Sequence, residues 1–227
     1  MAIVNKEMSE FAVIGLGKFG SAITRELHEL GKQVLAIDMN EDRVNAIADF
    51  STHAVIADAS DEQAMSAIGI RNFDAVIVCI GSNMQSSILT TLICKEQGAP
   101  FIVAKANSKK HKEVLTKIGA DLVVLPEEEM AQKMAVQLVT PHLNDIMVLD
   151  DYFTIAETEV PLKWADRTLI DIDLRRKYGV TLLLIKSGDK VVSGPSGDNY
   201  LRHGDTIVIG GESEKVEKFI EKLAMMK

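Results

Sequence analysis

Three glycines at the spacing GxGxxG are the residues of this sequence whose type and spacing most clearly indicate a binding chemistry. Gly15, Gly17 and Gly20 directly follow an apolar β-branched segment and open a helical pattern. In this context the first glycine permits a tight turn, the second lets backbone N–H groups approach a phosphate, and the third lets the helix pack closely on the strand. The helix N-terminus adds roughly half a positive charge. The spacing therefore predicts a phosphate-binding turn.

An acidic residue completes the pattern. Asp38 ends the next β-strand pattern, Gln33 to Asp38, and stands 18 residues past Gly20. A carboxylate at that place accepts hydrogen bonds from the ribose hydroxyls of an adenine nucleotide. Because the residue is Asp rather than Arg, a 2′-phosphate is disfavoured and NADP is not expected. The motif predicts nucleotide binding, and it does not predict redox use of the nucleotide.

Catalytic residues are not indicated elsewhere in the sequence. A dehydrogenase needs a proton-relay side chain and a substrate pocket, whereas His28, His53, His111, His142 and His203 fit solvated or packing roles. The run from Glu127 to Glu129 is typical of a solvated helix start. Cys79 and Cys94 are isolated and read as small buried hydrophobes. Binding without catalysis is the prediction, and a small NAD-dependent oxidoreductase remains the alternative.

Around the glycine motif, the first 125 residues alternate β-branched runs with helical patterns. This alternation predicts an α/β fold, a Rossmann-like doubly wound parallel sheet in which 73–80 is the central strand. A capping box at Ser60 and Gln63 predicts the start of one helix, and Ser108 the cap of another. The predicted strands are 11–14, 33–38, 53–57, 73–80, 101–105 and 122–125, and a last helix runs from Pro126 to about Val139.

The pattern changes after Pro141. Strands are predicted at 155–160, 180–186 and 206–209, with a hairpin turn at 187–190, a helix at 168–177 and a terminal helix from Ser213. These elements predict a small α+β lobe. The predicted domains are residues 1–140 and 141–227.

Composition limits the function classes further. The formal net charge of −8 argues against nucleic-acid binding and against direct docking on anionic lipid, and the aromatic content of 5% also argues against stacking on nucleic-acid strands. Charged residues make up 26% of the chain, an ordinary globular value that argues against disorder. No apolar run approaches the roughly 20 residues of a membrane helix. A soluble cytoplasmic protein is expected.

Several segments together resemble one family, the RCK (regulator of potassium conductance) proteins, cytosolic regulatory subunits of bacterial Ktr/Trk potassium uptake systems. The segments are FAVIGLGKFG at 11–20, Asp38, RNFD at 71–74, KIGAD at 117–121 followed by Pro126-Glu127, and LIDIDLRRKYG at 169–179. The resemblance covers nearly the whole chain. It implies a TrkA-N-type lobe followed by a TrkA-C-type lobe, dimers that assemble into an octameric ring, and a membrane potassium-translocating subunit as partner.

The resemblance also implies a set of ligand contacts. ATP or ADP, with NAD(H) as a further possibility, would bind the N-terminal lobe, and Mg²⁺ or Ca²⁺ would bind with it at Glu127. Lys18 stands where the family usually has Arg. In some relatives the C-terminal lobe binds cyclic di-AMP. The implied nucleotide residues are Gly15, Gly17, Lys18, Phe19, Gly20, Asp38, Met39, Asn40, Asp58, Ala59, Ile80, Gly81, Ser82, Lys105, Asn107, His111 and Glu127, and the implied cyclic di-AMP residues are Leu169, Leu174, Arg175 and Pro195.

Overall fold

The computed structural model describes residues 8–140, 142–150 and 152–224. The chain forms two compact units that divide between Glu128 and Glu129, upstream of the predicted boundary at residue 140. The reason lies in the helix that starts at Pro126, because its later side chains bond residues of the second unit. Lys133 forms an ion pair with Asp145 (2.7 Å), and Gln137 Nε2 donates to the backbone carbonyl oxygen of Asn144 (2.6 Å).

The first unit contains a six-stranded, all-parallel sheet, which confirms the predicted Rossmann-like fold. Its elements are β1 (Glu10–Ile14), α1 (Lys18–Glu29), β2 (Gln33–Asp38), α2 (Glu41–Ile47), β3 (His53–Ile56), α3 (Glu62–Ile68), β4 (Ala75–Val78), α4 (Met84–Glu96), β5 (Ile102–Lys105), α5 (Lys109–Lys117) and β6 (Leu122–Val124). The next helix, α6 (Pro126–Val139), begins in this unit and continues past its end at Glu128. The strand order β3-β2-β1-β4-β5-β6 places β4 beside β1 in the middle of the sheet, as predicted.

Both faces of this sheet are covered by helices. All four residues of β4 are buried, as the sequence run of apolar residues predicts for a central strand. Met65 of α3 and Leu115 of α5 are fully buried against one face, and Val44 and Ile47 of α2 pack on the other. Burying each such side chain contributes about 1.5–3 kcal/mol. The sheet therefore holds the carboxyl ends of its strands in fixed positions.

The sequence predicts one helix start correctly and another wrongly. Ser108 caps α5, and its Oγ accepts from the backbone N–H of His111. The predicted capping box at Ser60 is wrong, because Asp61 is the N-cap of α3 and accepts from the first-turn N–H groups. Ser60 instead donates its hydroxyl to Asp58.

The second unit is built on an antiparallel sheet, which confirms the predicted α+β lobe. Its elements are β7 (Leu143–Val148), β8 (Phe153–Glu159), β9 (Arg167–Thr168), α7 (Leu169–Ile172), α8 (Leu174–Tyr178), β10 (Thr181–Ser187), β11 (Lys190–Ser193), β12 (Tyr200–Leu201), β13 (Thr206–Glu212) and α9 (Ser213–Ala224). The strand order is β11-β10-β13-β8-β7, and the predicted hairpin joins β10 to β11. A separate two-stranded ladder pairs β9 with β12.

Two elements of the second unit differ from the sequence prediction. The helix predicted at 168–177 is two short helices, α7 and α8, because Asp173 between them adopts a left-handed conformation (φ +51°). Strand β7 is absent from the prediction, since its residues do not alternate apolar and polar; they pair with β8 along the edge of the sheet.

The core beneath α9 includes Trp164 stacked on Phe219, with ring centroids 5.9 Å apart.

Among the residues that the structure describes, no helix is both long and apolar enough to cross a membrane.

Candidate functional site

A cavity of about 570 Å³ opens at the carboxyl ends of β1 and β4, in the first unit. This is the place where strand order reverses in a doubly wound sheet, and ligands of such folds bind there. Its volume is typical of small-molecule sites. Thirteen of the predicted nucleotide residues line it: Gly15, Gly17, Lys18, Phe19, Asp38, Met39, Asp58, Ala59, Ile80, Gly81, Ser82, Lys105 and Glu127.

The three glycines of the motif have different surroundings. Gly15 has φ +91°, a left-handed conformation that favours glycine. A Cβ on Gly20 would lie 1.9 Å from the carbonyl oxygen of Gly15, so only glycine fits where α1 meets the turn. A Cβ on Gly17 would have no heavy atom within 4 Å. Gly20 thus serves the packing of the turn, and Gly17 faces the open cavity.

The N-terminus of α1 differs from those of the neighbouring helices. Gly17, its N-cap, offers no side-chain acceptor, whereas α2 to α5 are capped by the side chains of Asn40, Asp61, Asn83 and Ser108. First-turn N–H groups that lack a side-chain cap can bond an anion, and the helix dipole favours this. The exposed Lys18 adds a positive charge at the same end of the cavity.

Asp38 ties the glycine turn to the end of β2. Its side chain is 5% exposed, and its Oδ2 accepts from the backbone N–H of Leu16 at 2.6 Å. Its Oδ1 accepts from the backbone N–H of Asn40 at 2.9 Å. The guanidinium of Arg43 lies 3.4 Å from Oδ2. The carboxylate predicted to bind ribose therefore also holds the turn in place.

Lys105 and Glu127 form an ion pair across the cavity lining. Lys105 Nζ lies 2.5 Å from Glu127 Oε1, and the side chains are 13% and 71% exposed, respectively. The hydrogen bond from Lys105 lowers the pKa of Glu127. Lys105 Nζ is also 5.7 Å from the centroid of the Phe19 ring. The charge of a largely buried lysine is thus balanced by an exposed carboxylate.

Side chains that could ligate a metal do not cluster in the described part of the chain. Among the described residues, no group of three or more His, Cys, Asp and Glu side chains could hold a metal ion. Mg²⁺ is commonly held by one or two carboxylates together with substrate phosphates. Glu127 fits such a site only as one ligand beside a bound phosphate.

Met39, Asp58 and Ala59 form another part of the cavity lining. Met39 is 71% exposed, so its thioether can cover the face of a base. Asp58 Oδ1 accepts from the hydroxyl and the backbone N–H of Ser60, and the hydroxyl bond is the main cause of the lowered pKa of Asp58. This part of the lining combines an apolar surface with an ionised carboxylate.

Four predicted nucleotide residues do not line the cavity: Gly20, Asn40, Asn107 and His111. Asn40 caps α2, and His111 is only 1% exposed, with its Nδ1 3.1 Å from Asn107 Oδ1. Burial lowers the pKa of His111. The resemblance implied His111 on the phosphate side, but its buried ring does not line the cavity.

Several residues of the lining are not indicated by the sequence motifs. They are Ile14, Ile37, Arg43, Ala57, Cys79, Asn83 and Ser86. Asn83 and Ser86 could have been found, because they directly follow the predicted central strand and open the next helix. Arg43 carries no such signal, since its position depends on how the first turn of α2 meets Asp38.

The four residues implied for cyclic di-AMP line one cavity of about 360 Å³ in the second unit. Leu169, Leu174, Arg175 and Pro195 surround it together with Ile170, Asp173, Val180, Thr181, Leu182 and Gly197. Its lining is mainly apolar, with Arg175 as a cation. Such a surface suits a base next to a phosphate.

A Rossmann-type domain with a glycine-rich turn, followed by a small antiparallel-sheet domain, defines a two-domain protein of the class in which such turns commonly bind nucleotides. Residues 11–126 match the TrkA-N domain, and residues 155–224 match the TrkA-C domain. The chain belongs to the family with these two domains, the RCK family indicated by its motifs.

Known relatives agree with this assignment. The chain is 43% identical to the Ktr system potassium uptake protein A of Bacillus subtilis over 210 residues, which cover 92% of this chain and 95% of that protein. The structure of the GsuK RCK domain has the same fold, with TM-score 0.66 and 14% identity over 96% of this chain and 48% of that chain. The NAD(P)-binding domain of an exopolyphosphatase-related protein from Archaeoglobus fulgidus is 28% identical, with TM-score 0.51, over 57% of this chain and 97% of that chain.

Proposed function

We propose that this protein is a cytosolic, nucleotide-sensing gating subunit of a bacterial potassium uptake system. The observation that carries the proposal is its identity of 43% to a Ktr system potassium uptake protein over almost the full length of both chains. The small NAD-dependent oxidoreductase is less well supported, because the described residues of the cavity lining include no histidine or tyrosine, and Lys105 is paired with Glu127. The proposed role is binding and regulation rather than catalysis.

The proposed ligand of the first unit is ATP or ADP, with NAD(H) as a competitor. The phosphates would lie at Gly17 and the start of α1, the ribose at Asp38, and the base beside Met39 and Ala59. Similarity to an NAD(P)-binding domain supports an adenine nucleotide. Lys18 keeps the positive charge of the family arginine but cannot make its planar bidentate hydrogen bonds. Lys18 would therefore interact with a terminal phosphate as a point charge.

The proposed mechanism is a ligand-dependent ring shape. Two copies would form a dimer, four dimers a ring, and the ring would bind the cytoplasmic face of a membrane potassium-translocating subunit. ATP carries a terminal phosphate that ADP lacks, and only such a difference in contact energy can shift the population of two shapes. Coupling of about 1–3 kcal/mol per site is typical. Several sites together could supply the roughly 5.5 kcal/mol that a near-complete switch requires.

Saturating ATP and saturating ADP are expected to give distinct solution scattering curves for the same oligomer. Thermal shift measurements with ATP, ADP, NAD⁺, NADH and cyclic di-AMP would rank the ligands, because a ligand that binds only the folded state raises its stability by RT ln(1 + [L]/Kd). Identical scattering curves with both nucleotides bound would contradict the gating mechanism. Turnover of NADH with a small carbonyl compound would favour the oxidoreductase instead.

We expect Mg²⁺ or Ca²⁺ to strengthen ATP binding through Glu127. When a phosphate draws Lys105 away, the carboxylate of Glu127 is left beside negative charge, and a divalent cation would relieve the repulsion. Glu127→Gln should remove the dependence on the metal while retaining ATP binding in its absence, as measured by calorimetry. Glu128→Gln is the matched control, since Glu128 pairs with Lys109 (3.0 Å) and does not line the cavity. An equal metal response in Glu127→Gln and the unmodified protein would contradict the proposed site.

Cyclic di-AMP is the ligand that we propose for the cavity of the second unit. The grouping of Leu169, Leu174, Arg175 and Pro195 around one cavity supports this proposal. In thermal shift measurements, Arg175→Ala should abolish the shift with cyclic di-AMP and leave the shift with ADP unchanged. A cyclic di-AMP shift that persists in Arg175→Ala would remove this arginine from the site.

A further inference from the structure

Arg43 and Asp38 form an ion pair in the lining of the first-unit cavity. Arg43 Nη1 lies 3.4 Å from Asp38 Oδ2, with the Asp38 side chain 5% exposed and the Arg43 side chain 53% exposed. Both residues line the cavity. The backbone N–H of Arg43 donates to the capping side chain of Asn40 (3.0 Å), which fixes the position of Arg43 in the first turn of α2.

The hydrogen bonds of Asp38 limit what it can offer a ribose. An ionised carboxylate accepts at about four lone-pair sites. Oδ2 receives the backbone N–H of Leu16 and the guanidinium of Arg43, and Oδ1 receives the backbone N–H of Asn40. One acceptor site on Oδ1 is left. Because an adenosine ribose has two neighbouring hydroxyls, Asp38 can accept from only one of them.

The guanidinium of Arg43 can bond the other hydroxyl. Arginine has five N–H donors and no acceptor, and the contact with Asp38 uses only part of this set. A ribose hydroxyl that does not donate to Asp38 can accept from Arg43, so the pair presents one acceptor and one donor to the two hydroxyls. The Arg43 side chain is about half exposed and belongs to the cavity lining, so its free N–H groups are accessible to a ligand.

We propose that Arg43 is a specificity-determining residue that binds one of the two ribose hydroxyls of the nucleotide, while Asp38 binds the other. This inference rests on the proposed nucleotide site. It defines the ligand class as adenine nucleotides with both the 2′- and the 3′-hydroxyl free. The sequence motif assigned ribose recognition to Asp38 alone.

The test combines a residue change with a ligand change. Dissociation constants of ADP, 2′-deoxy-ADP and 3′-deoxy-ADP would be measured by calorimetry for the unmodified protein, Arg43→Ala, Arg43→Lys and the control Arg71→Ala. Arg71 is exposed, lies in a short 3-10 helix before β4 and does not line the cavity. Unfolding temperatures of the ligand-free variants would establish that each is folded.

Arg43→Ala is expected to weaken ADP about tenfold, the usual size for a hydrogen bond to a charged group. For the deoxy analogue that lacks the hydroxyl bound by Arg43, the same change should weaken binding less than about twofold, since the bond is already missing. Arg43→Lys should retain part of the ADP affinity, and Arg71→Ala should retain all of it.

Two outcomes would overturn the inference and leave the nucleotide site standing. ADP could bind Arg43→Ala as tightly as it binds the unmodified protein, or the change could weaken ADP and both deoxy analogues by the same factor. If the unmodified protein bound no adenine nucleotide, the proposed function and this inference would both be wrong.

Discussion

Gly20→Ala is expected to prevent the first unit from folding stably, whereas Gly17→Ala is expected to leave the fold intact and weaken nucleotide binding. A Cβ at residue 20 would lie 1.9 Å from the carbonyl oxygen of Gly15 and 3.2 Å from Cys79 Cβ. The turn cannot absorb this overlap without moving β1 or α1. The expected loss in the free energy of unfolding exceeds about 4 kcal/mol, a large part of the total stability of an ordinary domain.

Gly17→Ala is the matched variant, because the same methyl group is added three residues earlier in the same motif. Residue 17 has an ordinary φ of −70°, and its Cβ would meet no atom within 4 Å. The unfolding temperature should change by a few degrees at most. The methyl group would stand where a phosphate approaches the N-terminus of α1, so ADP affinity should fall at least about tenfold.

Denaturant unfolding and ADP titration of both variants would separate these roles. If Gly20→Ala unfolded like the unmodified protein, the close packing of α1 on the turn would be wrong. If Gly17→Ala bound ADP as tightly as the unmodified protein, the phosphates would lie elsewhere in the cavity.

Asp38→Ala is expected to remove the response to both ATP and ADP and also to loosen the glycine turn. The change leaves the backbone N–H of Leu16 and of Asn40 without their acceptors. Leu16 is 3% exposed, and an unsatisfied buried donor costs about 1–3 kcal/mol. The ribose loses its acceptor as well, so the scattering curves with ATP and ADP should become identical to that of the ligand-free variant.

Asp38→Asn separates the two losses. Its side-chain oxygen can still accept from Leu16 and hold the turn, but its NH2 group cannot accept from the backbone N–H of Asn40, and the negative charge opposite Arg43 is lost. We expect a smaller loss of stability in Asp38→Asn than in Asp38→Ala, together with weakened ADP binding, and normal behaviour in the control Asp49→Ala at an exposed position. A difference between ATP and ADP that persists in Asp38→Ala would contradict the placement of the ribose at this residue.

The parallel sheet and its glycine turn could be predicted from the sequence because the signals are local. The apolar runs, the spacing from Gly15 to Gly20 and the position of Asp38 at a strand end all lie within short segments. The start of α3 shows the limit of such signals. Ser60 and Asp61 both favour a helix start, and the choice of Asp61 follows from the bonds that Ser60 makes with Asp58.

The sequence by itself determined the fold class and the place of the glycine turn and Asp38 at one edge of the sheet, since periodicity and spacing within a strand–turn–helix unit fix these features. Most other residues of the proposed site were implied by the family resemblance. Only the tertiary structure decided the charge pairs of the site. Lys105 forms an ion pair with Glu127 of the following strand–helix unit, and Arg43 uses one acceptor position of Asp38. The side chain of His111 is buried. These outcomes depend on packing between segments distant in the sequence, and no local pattern encodes such packing.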